Sequence, residues 1–466
     1  MAIPMATEPV STGPQSIAGT PLAEAQRIDF SSAADAAMQR AEAAEPIRSG
    51  RLVRMHGLTL EARGVSAPIG ACCAVLGLAG ETIEAEVVGF NDRTTYLMPF
   101  GDPSGIGPGA TVRVLSRSSR ARLGPQLLGR VIDARGQPLD GKPAPVCEDE
   151  LSMHSAPLNP MERGPIRNVL DVGVKAINGM LTLGQGQRIG LMAGSGVGKS
   201  VLLGMITRYT KADIVVIGLI GERGREVNDF IHESLGEEGL AKSVVVAAPA
   251  NVSPVLRLRA TNLVHLIAEY FRDRGMNVLM LVDSLTRVAH AQREIGLAVG
   301  EPPTSKGYPP SVFSLLPNLI ERSGVGRNGH GSITAIYTVL MEGDDSNDPV
   351  VDIARASLDG QVMLSRALAD AAHYPAIDLT GSISRVMPAL IDSDRLNFAN
   401  RFRRLWSLYQ QNRDLIQVGA YEAGSNPEMD EAIALRPAME SFLRQDMRVG
   451  SSYEDTLAAR EGVLQR

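Results

Sequence analysis

The sequence predicts an α/β fold: a mostly parallel sheet, preceded by a small β-barrel and followed by a helical region. Three observations predict it. Apolar strands recur at Asp213 to Ile220, Ser243 to Ala248, Asn277 to Asp283 and Ser332 to Leu340. Helical stretches lie between them, and that alternation means parallel strands covered on both faces. Short strands separated by turn residues fill Arg51 to about Arg120, the pattern of a small closed barrel. From about Ala389 the strands stop and helices dominate. The resulting division is a tail at 1–48, a barrel at 49–122, an α/β core at 123–388 and a helical domain at 389–466.

At 466 residues the chain has room for several domains. No apolar run approaches the ~18 residues of a membrane span, and residues 1–20 lack a basic and apolar secretory leader. Three cysteines, Cys72, Cys73 and Cys147, form neither a disulfide framework nor a metal spacing. Both facts fit a cytoplasmic protein. The net charge of −6 weighs against nucleic acid as a partner.

The elements follow in order. Residues 1–27 are rich in Pro, Ser, Thr, Ala and Gly without periodicity, the composition of a disordered tail. Ser31 to Glu45 reads as a short Ala-rich helix with Ala34, Ala37, Met38 and Ala41 on one face. Barrel strands are expected at Arg51 to Leu60, Ala71 to Leu78, Glu81 to Phe90, Thr94 to Phe100 and Ala110 to Ser116. Leu127 to Asp140 reads as a strand and turn leading out of the barrel. In the core, Ser253 caps a helix to Arg274 with Pro254 at its first position. The C-terminal helices are Ser393 to Asp414, Asn426 to Leu435 and Pro437 to Arg444.

The chain is organised around RIGLMAGSGVGKSVLLGM, Arg188 to Met205. A buried strand, a glycine-dense turn and a helix opening at Lys199-Ser200 form a phosphate cradle over Ala193, Gly194, Ser195, Gly196, Val197, Gly198, Lys199, Ser200 and Val201. Its glycines allow backbone N–H groups to converge on a polyphosphate, and the helix N-terminus adds partial positive charge. Lys199 then reaches the β and γ phosphates, and Ser200 offers its hydroxyl to Mg²⁺. Ala193 stands where the motif usually has glycine.

Asp283 leaves its strand at the carboxyl end, where it can order water on Mg²⁺ or cap a helix. Glu222, in Gly221-Glu222-Arg223-Gly224-Arg225-Glu226, is the candidate base for water, while Glu226 pairs equally well with Arg223 or Arg225. Phosphoryl transfer also needs a cation at the transition state, and Arg385 is the candidate; a surface salt bridge explains it equally well. Tyr374 and Tyr421 offer aromatic faces for adenine.

The ordered set AGSGVGKS, GERGREV, LMLVDSLTR, GYPPSVFSLLPNLIERSG, GDDSNDPV and HYPAIDLTGSISRVM spans roughly Arg51 to Met447. It resembles the family containing the F-type ATP synthase catalytic subunit, the Rho transcription terminator and the ATPases of type III export. The resemblance implies a RecA-like core and a homohexameric, Mg²⁺-dependent ATPase. It aligns Glu222 with the catalytic carboxylate, Arg223 and Arg287 with active-site arginines, Asp283 with the metal-ordering carboxylate and Arg385 with a finger supplied by a neighbouring subunit. Tyr374 and Tyr421 match the adenine pocket.

It further implies a peripheral-stalk-like regulator at the tail and a central-stalk-like export protein near Asp344, Asp345 and Asp348. As a local feature that acidic loop is also a turn with Asx hydrogen bonds. Export chaperones, their substrates and a membrane export gate are the remaining implied partners, which would bring the ring to the inner membrane from the cytoplasm. GLIGERGREVNDFIHESLGEEGL, EGDDSNDPV and IQVGAYEAGSNP look more flagellar than injectisome-like. An injectisome ATPase is the first alternative and a rotary synthase catalytic subunit the second; the latter needs a non-catalytic sister chain, whereas this one sequence carries both Glu222 and Arg385.

Overall fold

The computed structural model describes residues 49–77, 80–341 and 348–464. The expected tail, its Ala-rich helix, Asp344 and Asp345 lie outside the described residues.

Six strands close the barrel: β1 (Ser49–His56), β2 (Thr59–Arg63), β3 (Cys72–Leu76), β4 (Thr82–Asn91), β5 (Thr94–Pro99) and β6 (Thr111–Ser116), in the order β1-β2-β5-β4-β3-β6. Alternation sends Leu52, Leu60, Ala62, Val75, Val87 and Leu97 inward, so the interior is side chain rather than channel. The single strand expected from Arg51 to Leu60 is instead a hairpin. Gly57, at φ +55°, reverses the chain there, a conformation that a Cβ disfavours.

Leu127 to Asp140 does not simply leave the barrel. Its strand β7 (Arg130–Ile132) pairs in parallel with the core strand at Ser243–Ala248 and becomes one edge of the main sheet. That sheet continues through β8 (Arg188–Ala193), β9 (Ile214–Ile220), β10 (Ser243–Ala248), β11 (Asn277–Asp283), β12 (Ser332–Leu340), β13 (Gly360–Leu364) and β14 (Ile377–Ser384). The order is β14-β13-β8-β12-β11-β9-β10-β7, with β14 antiparallel and a short strand, Gly324–Val325, paired off β12.

Every residue of β9 is buried, as expected of a parallel strand with helices on both faces. Helices α1 (Lys199–Tyr209), α2 (Pro254–Arg272) and α3 (Leu285–Ala298) leave the carboxyl ends of β8, β10 and β11 or the loops just beyond them. Pro254 opens α2 as expected, but Ser253 does not cap it: its hydroxyl is buried with no partner among the described residues. The barrel rests on the start of α2 and the end of α3, where Met98 meets Val255 and Ile295.

The helical region holds α4 (Ser393–Gln417), α5 (Pro427–Leu443) and α6 (Tyr453–Arg460). The two helices expected on either side of Pro437 are one. Proline removes a single N–H from the ladder, and burial of Leu435, Met439 and Phe442 holds the turns before and after it together. Asn426 caps α5 through bonds from Glu428 N and Met429 N, at 3.0 and 3.2 Å.

Candidate functional site

Strand β8 ends at Ala193, fully buried, whose carbonyl accepts from Met341 N at 3.0 Å. The loop then lifts to the surface at Ser195 and Gly196, turns back to bury Val197 and enters α1 at Lys199. Gly196 at φ +76° and Gly198 at φ +88° make both turns, conformations costly for any residue with a Cβ. The result is a cradle at the carboxyl edge of the sheet, facing a cavity of about 800 Å³ lined by Lys199, Ser200, Glu222, Asp283 and Arg287 among others.

Three strand ends deliver the ionisable groups. Lys199 Nζ stands 2.5 Å from Asp283 Oδ1 and 3.3 Å from Glu222 Oε1. Thr338, on the adjacent β12, donates to the same Asp283 oxygen at 2.6 Å. Burial works against the Lys199 charge, but Asp283 and then Glu222 outweigh it and hold the ammonium above its usual range. For Glu222, burial and the neighbouring Asp283 charge push the carboxyl up to about 7, against the pull of Lys199. The proton shared with Glu222 keeps Glu226 below the ordinary carboxylate range. A cation thus occupies two carboxylates that face a phosphate cradle, an arrangement a bound polyphosphate would reorganise.

The loop bearing Glu222 is fixed from two sides. Gly221 N donates to Ala248 O at 2.8 Å, and Ala250 N donates to Glu222 O at 3.0 Å. Gly221, at φ +72°, also lets Arg287 close in, since a Cβ there would lie 2.7 Å from Arg287 Cβ. The Nε of Arg287 is buried with no partner among the described residues, so the guanidinium keeps a donor for an anion. Arg223 is exposed beside Glu226 at 3.7 Å, while Arg225 pairs instead with Asp229 at 3.3 Å. Ser284, not Asp283, caps α3, accepting from Arg287 N at 3.3 Å. The Ser200 hydroxyl and the Asp283 carboxylate are a hard-oxygen set that suits Mg²⁺ completed by water and phosphate oxygens.

The remaining predicted residues divide. Tyr374 lies against the phosphate loop, its Cε1 3.6 Å from where a Cβ on Gly198 would sit. Val201 is exposed in the first turn of α1 at the cavity rim. Tyr421 does not line the cavity; its hydroxyl bonds Asn426 O and Asp430 Oδ1 at 3.0 and 2.9 Å in the connection between α4 and α5. Arg385 is exposed and also absent from the cavity wall, with its guanidinium on the carbonyls of Leu358 and Arg355 at 3.2 and 3.3 Å. Asp348 caps the helix Pro349–Ser357, accepting from Val350 N at 2.8 Å.

Sequence reading missed Arg366 and Arg257. Arg366, the first residue of a short helix (Arg366–Asp370) just beyond β13, donates to Ser195 O at 3.1 Å. Arg257, 8% exposed, lines the cavity and bonds both Glu294 oxygens at 3.0 and 2.9 Å. A charged residue at a buried helical position was the available signal for it.

The family model for the ATP synthase alpha/beta family, nucleotide-binding domain, matches residues 173–384, and that family's beta-barrel domain matches 53–115. A third model, the T3SS EscN ATPase C-terminal domain, matches 391–459. The flagellum-specific ATP synthase of Pseudomonas aeruginosa is 57% identical over 424 residues, covering 90% of this chain and 94% of the relative. The type 3 secretion system ATPase of Xanthomonas euvesicatoria is 46% identical, covering 88% and 92%. Among solved structures, the assembled ATPase EscN of the enteropathogenic E. coli type III secretion system superposes with a TM-score of 0.84 at 43% identity, covering 89% of this chain and 100% of that one. EscN in complex with its central stalk EscO gives 0.82 at 42% identity, with the same coverage of both chains.

Proposed function

The chain belongs to the ATP synthase alpha/beta family, and from that premise we propose that it hydrolyses ATP in a flagellar type III protein-export apparatus. The flagellar assignment follows the higher identity to a flagellum-specific relative, 57% against 46% for the secretion ATPase. The observation that carries the enzymatic reading is the meeting of Lys199, Glu222 and Asp283 at the mouth of the phosphate cradle.

When a triphosphate enters, Lys199 exchanges its carboxylate partners for the β and γ phosphate oxygens. Glu222 is then free to orient the attacking water and accept its proton as the new oxygen–phosphorus bond forms and the bond to the β-bridging oxygen breaks, leaving ADP and phosphate. Ser200 and Asp283 would hold Mg²⁺, which neutralises charge on the phosphates. Arg223 and Arg287 meet the γ-phosphate from the side of the Glu222 loop, and Tyr374 supplies one wall for adenine. Arg385 acts in trans, on the site of a neighbouring copy.

The assembly is a homohexameric ring with a central-stalk-like protein in its lumen near Asp344, Asp345 and Asp348. The first 48 residues dock a peripheral-stalk-like regulator. Chaperone-bound export substrates are passed to a membrane gate by a ring that stays on the cytoplasmic side; among the described residues, no helix is long and apolar enough to cross a membrane. Phosphate release by the full chain with ATP and Mg²⁺ tests the enzymatic reading. Lys199→Ala is expected to fold and to lose turnover; turnover equal to the parent's would overturn it.

A further inference from the structure

The proposed adenine wall is held from two directions. Tyr374 sits in residues 365–375, a lobe between β13 and β14 that touches the phosphate loop through Arg366 on Ser195 O and through the Tyr374 ring beside Gly198. The lobe has internal ties: His373 N donates to Leu368 O at 2.9 Å, and the Tyr374 hydroxyl donates to Ala369 O at 3.2 Å. Its other side is gripped by the two residues just after α5. Gln445 N donates to Tyr374 O at 3.1 Å, and Arg444 Nε donates to His373 Nδ1 at 3.4 Å. Burial, and then the Arg444 charge, hold the His373 imidazole below its usual range, which leaves that nitrogen able to accept.

Gln445 is itself fixed at both ends of its amide. Its Oε1 accepts from Lys175 N at 2.8 Å, and its Nε2 donates to Gly173 O and to Val449 O, each at 2.8 Å. One half-buried side chain therefore ties the entry of the core, at Gly173 and Lys175, to the segment that follows the helical hairpin, and its own backbone N–H carries that tie to Tyr374. None of these side-chain bonds reaches a residue of the phosphate loop, so its effect on a nucleotide must pass through the lobe.

We propose that Gln445 is a positioning residue for nucleotide binding: it pins the backbone that holds Tyr374 beside the phosphate loop, and through it the helical region sets the affinity for ATP. The proposal rests on the reading of Tyr374 as the adenine wall. Its prediction is a split between binding and turnover, because Gln445 contacts no reacting group.

The test uses the full chain with Gln445→Ala, Gln445→Glu, Tyr374→Ala and the double variant, measuring kcat, KM for ATP and the thermal midpoint. Gln445→Ala is expected to raise KM about fivefold to tenfold, the scale of one net hydrogen bond, with kcat within about twofold. Gln445→Glu keeps the acceptor for Lys175 N but loses the donor to two carbonyls, and its KM should fall between. Adding Gln445→Ala to Tyr374→Ala should raise KM no further, since the pinned wall is already gone. A lower midpoint with unchanged KM overturns the proposal, as do two effects that multiply in the double variant. If Gln445→Ala does not fold, Gln445→Glu decides by the same KM criterion. An unchanged KM in Tyr374→Ala removes the adenine-wall reading and this proposal with it; a raised KM there with a silent Gln445→Ala removes Gln445 alone.

Discussion

Glu222 is in an environment that opposes its charge, and two measurable effects follow from that. Burial first, and Asp283 second, push its carboxyl up to about 7, so at neutral pH a large fraction carries a proton. Only the ionised form accepts a proton from water. The kcat/KM of the free enzyme should therefore climb as pH rises through about 7 and level off above it; a flat profile from pH 6 to 8 would contradict Glu222 as the base. The stability effect has the opposite sign. The folded state holds this proton more tightly than the unfolded chain does, so the group stabilises the fold most in acid, and its contribution falls as pH rises from 4.5 toward about 7. Glu222→Gln removes that cost and leaves Lys199 its bond to Asp283. At pH 8 it should raise the thermal midpoint by about 1–3 °C while lowering turnover by roughly 10² or more. A midpoint that falls would mean that the Lys199–Glu222 pair stabilises more than its burial costs.

Between residue and domain, the element that positions the chemistry is α2. It lies flat on β9 because Gly218 has no side chain; a Cβ there would stand 2.7 Å from Val264 Cγ2. The same helix carries Arg257 into the cavity wall and, through Val255, meets Met98 of the barrel. Gly218→Ala should lower stability by about 1–3 kcal/mol, since the sheet below and the helix above leave the methyl no room. Denaturant unfolding checks this, and an unchanged midpoint would show that the helix moves away freely. The sequence made the apolar β9 and the Pro254 start of α2 legible, because continuous burial and a proline at a helix start are local signals. It did not make β13 and β14 legible. Strand β14 is an edge paired to β13, in which Asp378, Thr380 and Ser382 alternate with Ile377, Leu379 and Ile383, so it lacks the continuous apolar run of the other core strands even though Ile377 and Leu379 are buried. The hairpin at Gly57 and the continuous helix through Pro437 were missed for a related reason: in each, tertiary packing decides what a single turn residue does. The site was more legible than the fold around it. Asp283 ends a strand, and Glu222 and Lys199 stand in the turns that follow two others, so all three lie on the one edge of a parallel sheet where such turns gather. Arg257 comes from a helix face and Arg366 from the first residue of the short helix Arg366–Asp370, where no such rule holds.

For the whole molecule, the decisive fact is that Arg385 lies outside the cavity that Lys199 lines. Arg385 is exposed, rests its guanidinium on the carbonyls of Leu358 and Arg355, and does not line the cavity. If it meets a γ-phosphate, it meets that of a neighbouring copy, and each working site then needs two chains. Two inactive variants should repair one another. In the proposed ring, Lys199→Ala copies retain every guanidinium but lack the phosphate lysine; Arg385→Ala copies have the reverse defect. In mixed rings at equal amounts, an interface works when an Arg385→Ala copy supplies the cradle and a Lys199→Ala copy supplies the finger. About a quarter of interfaces meet that condition, and the finger is worth roughly 10³ to 10⁵ in rate, so activity should reappear far above the sum of the separate variants. The same logic makes specific activity rise with protein concentration as rings form. Phosphate release from the mixture, after dissociation and reassembly of the two variants together, is the measurement. Silence in the mixture, with both variants shown to co-assemble, would mean that Arg385 acts within its own chain or not at all.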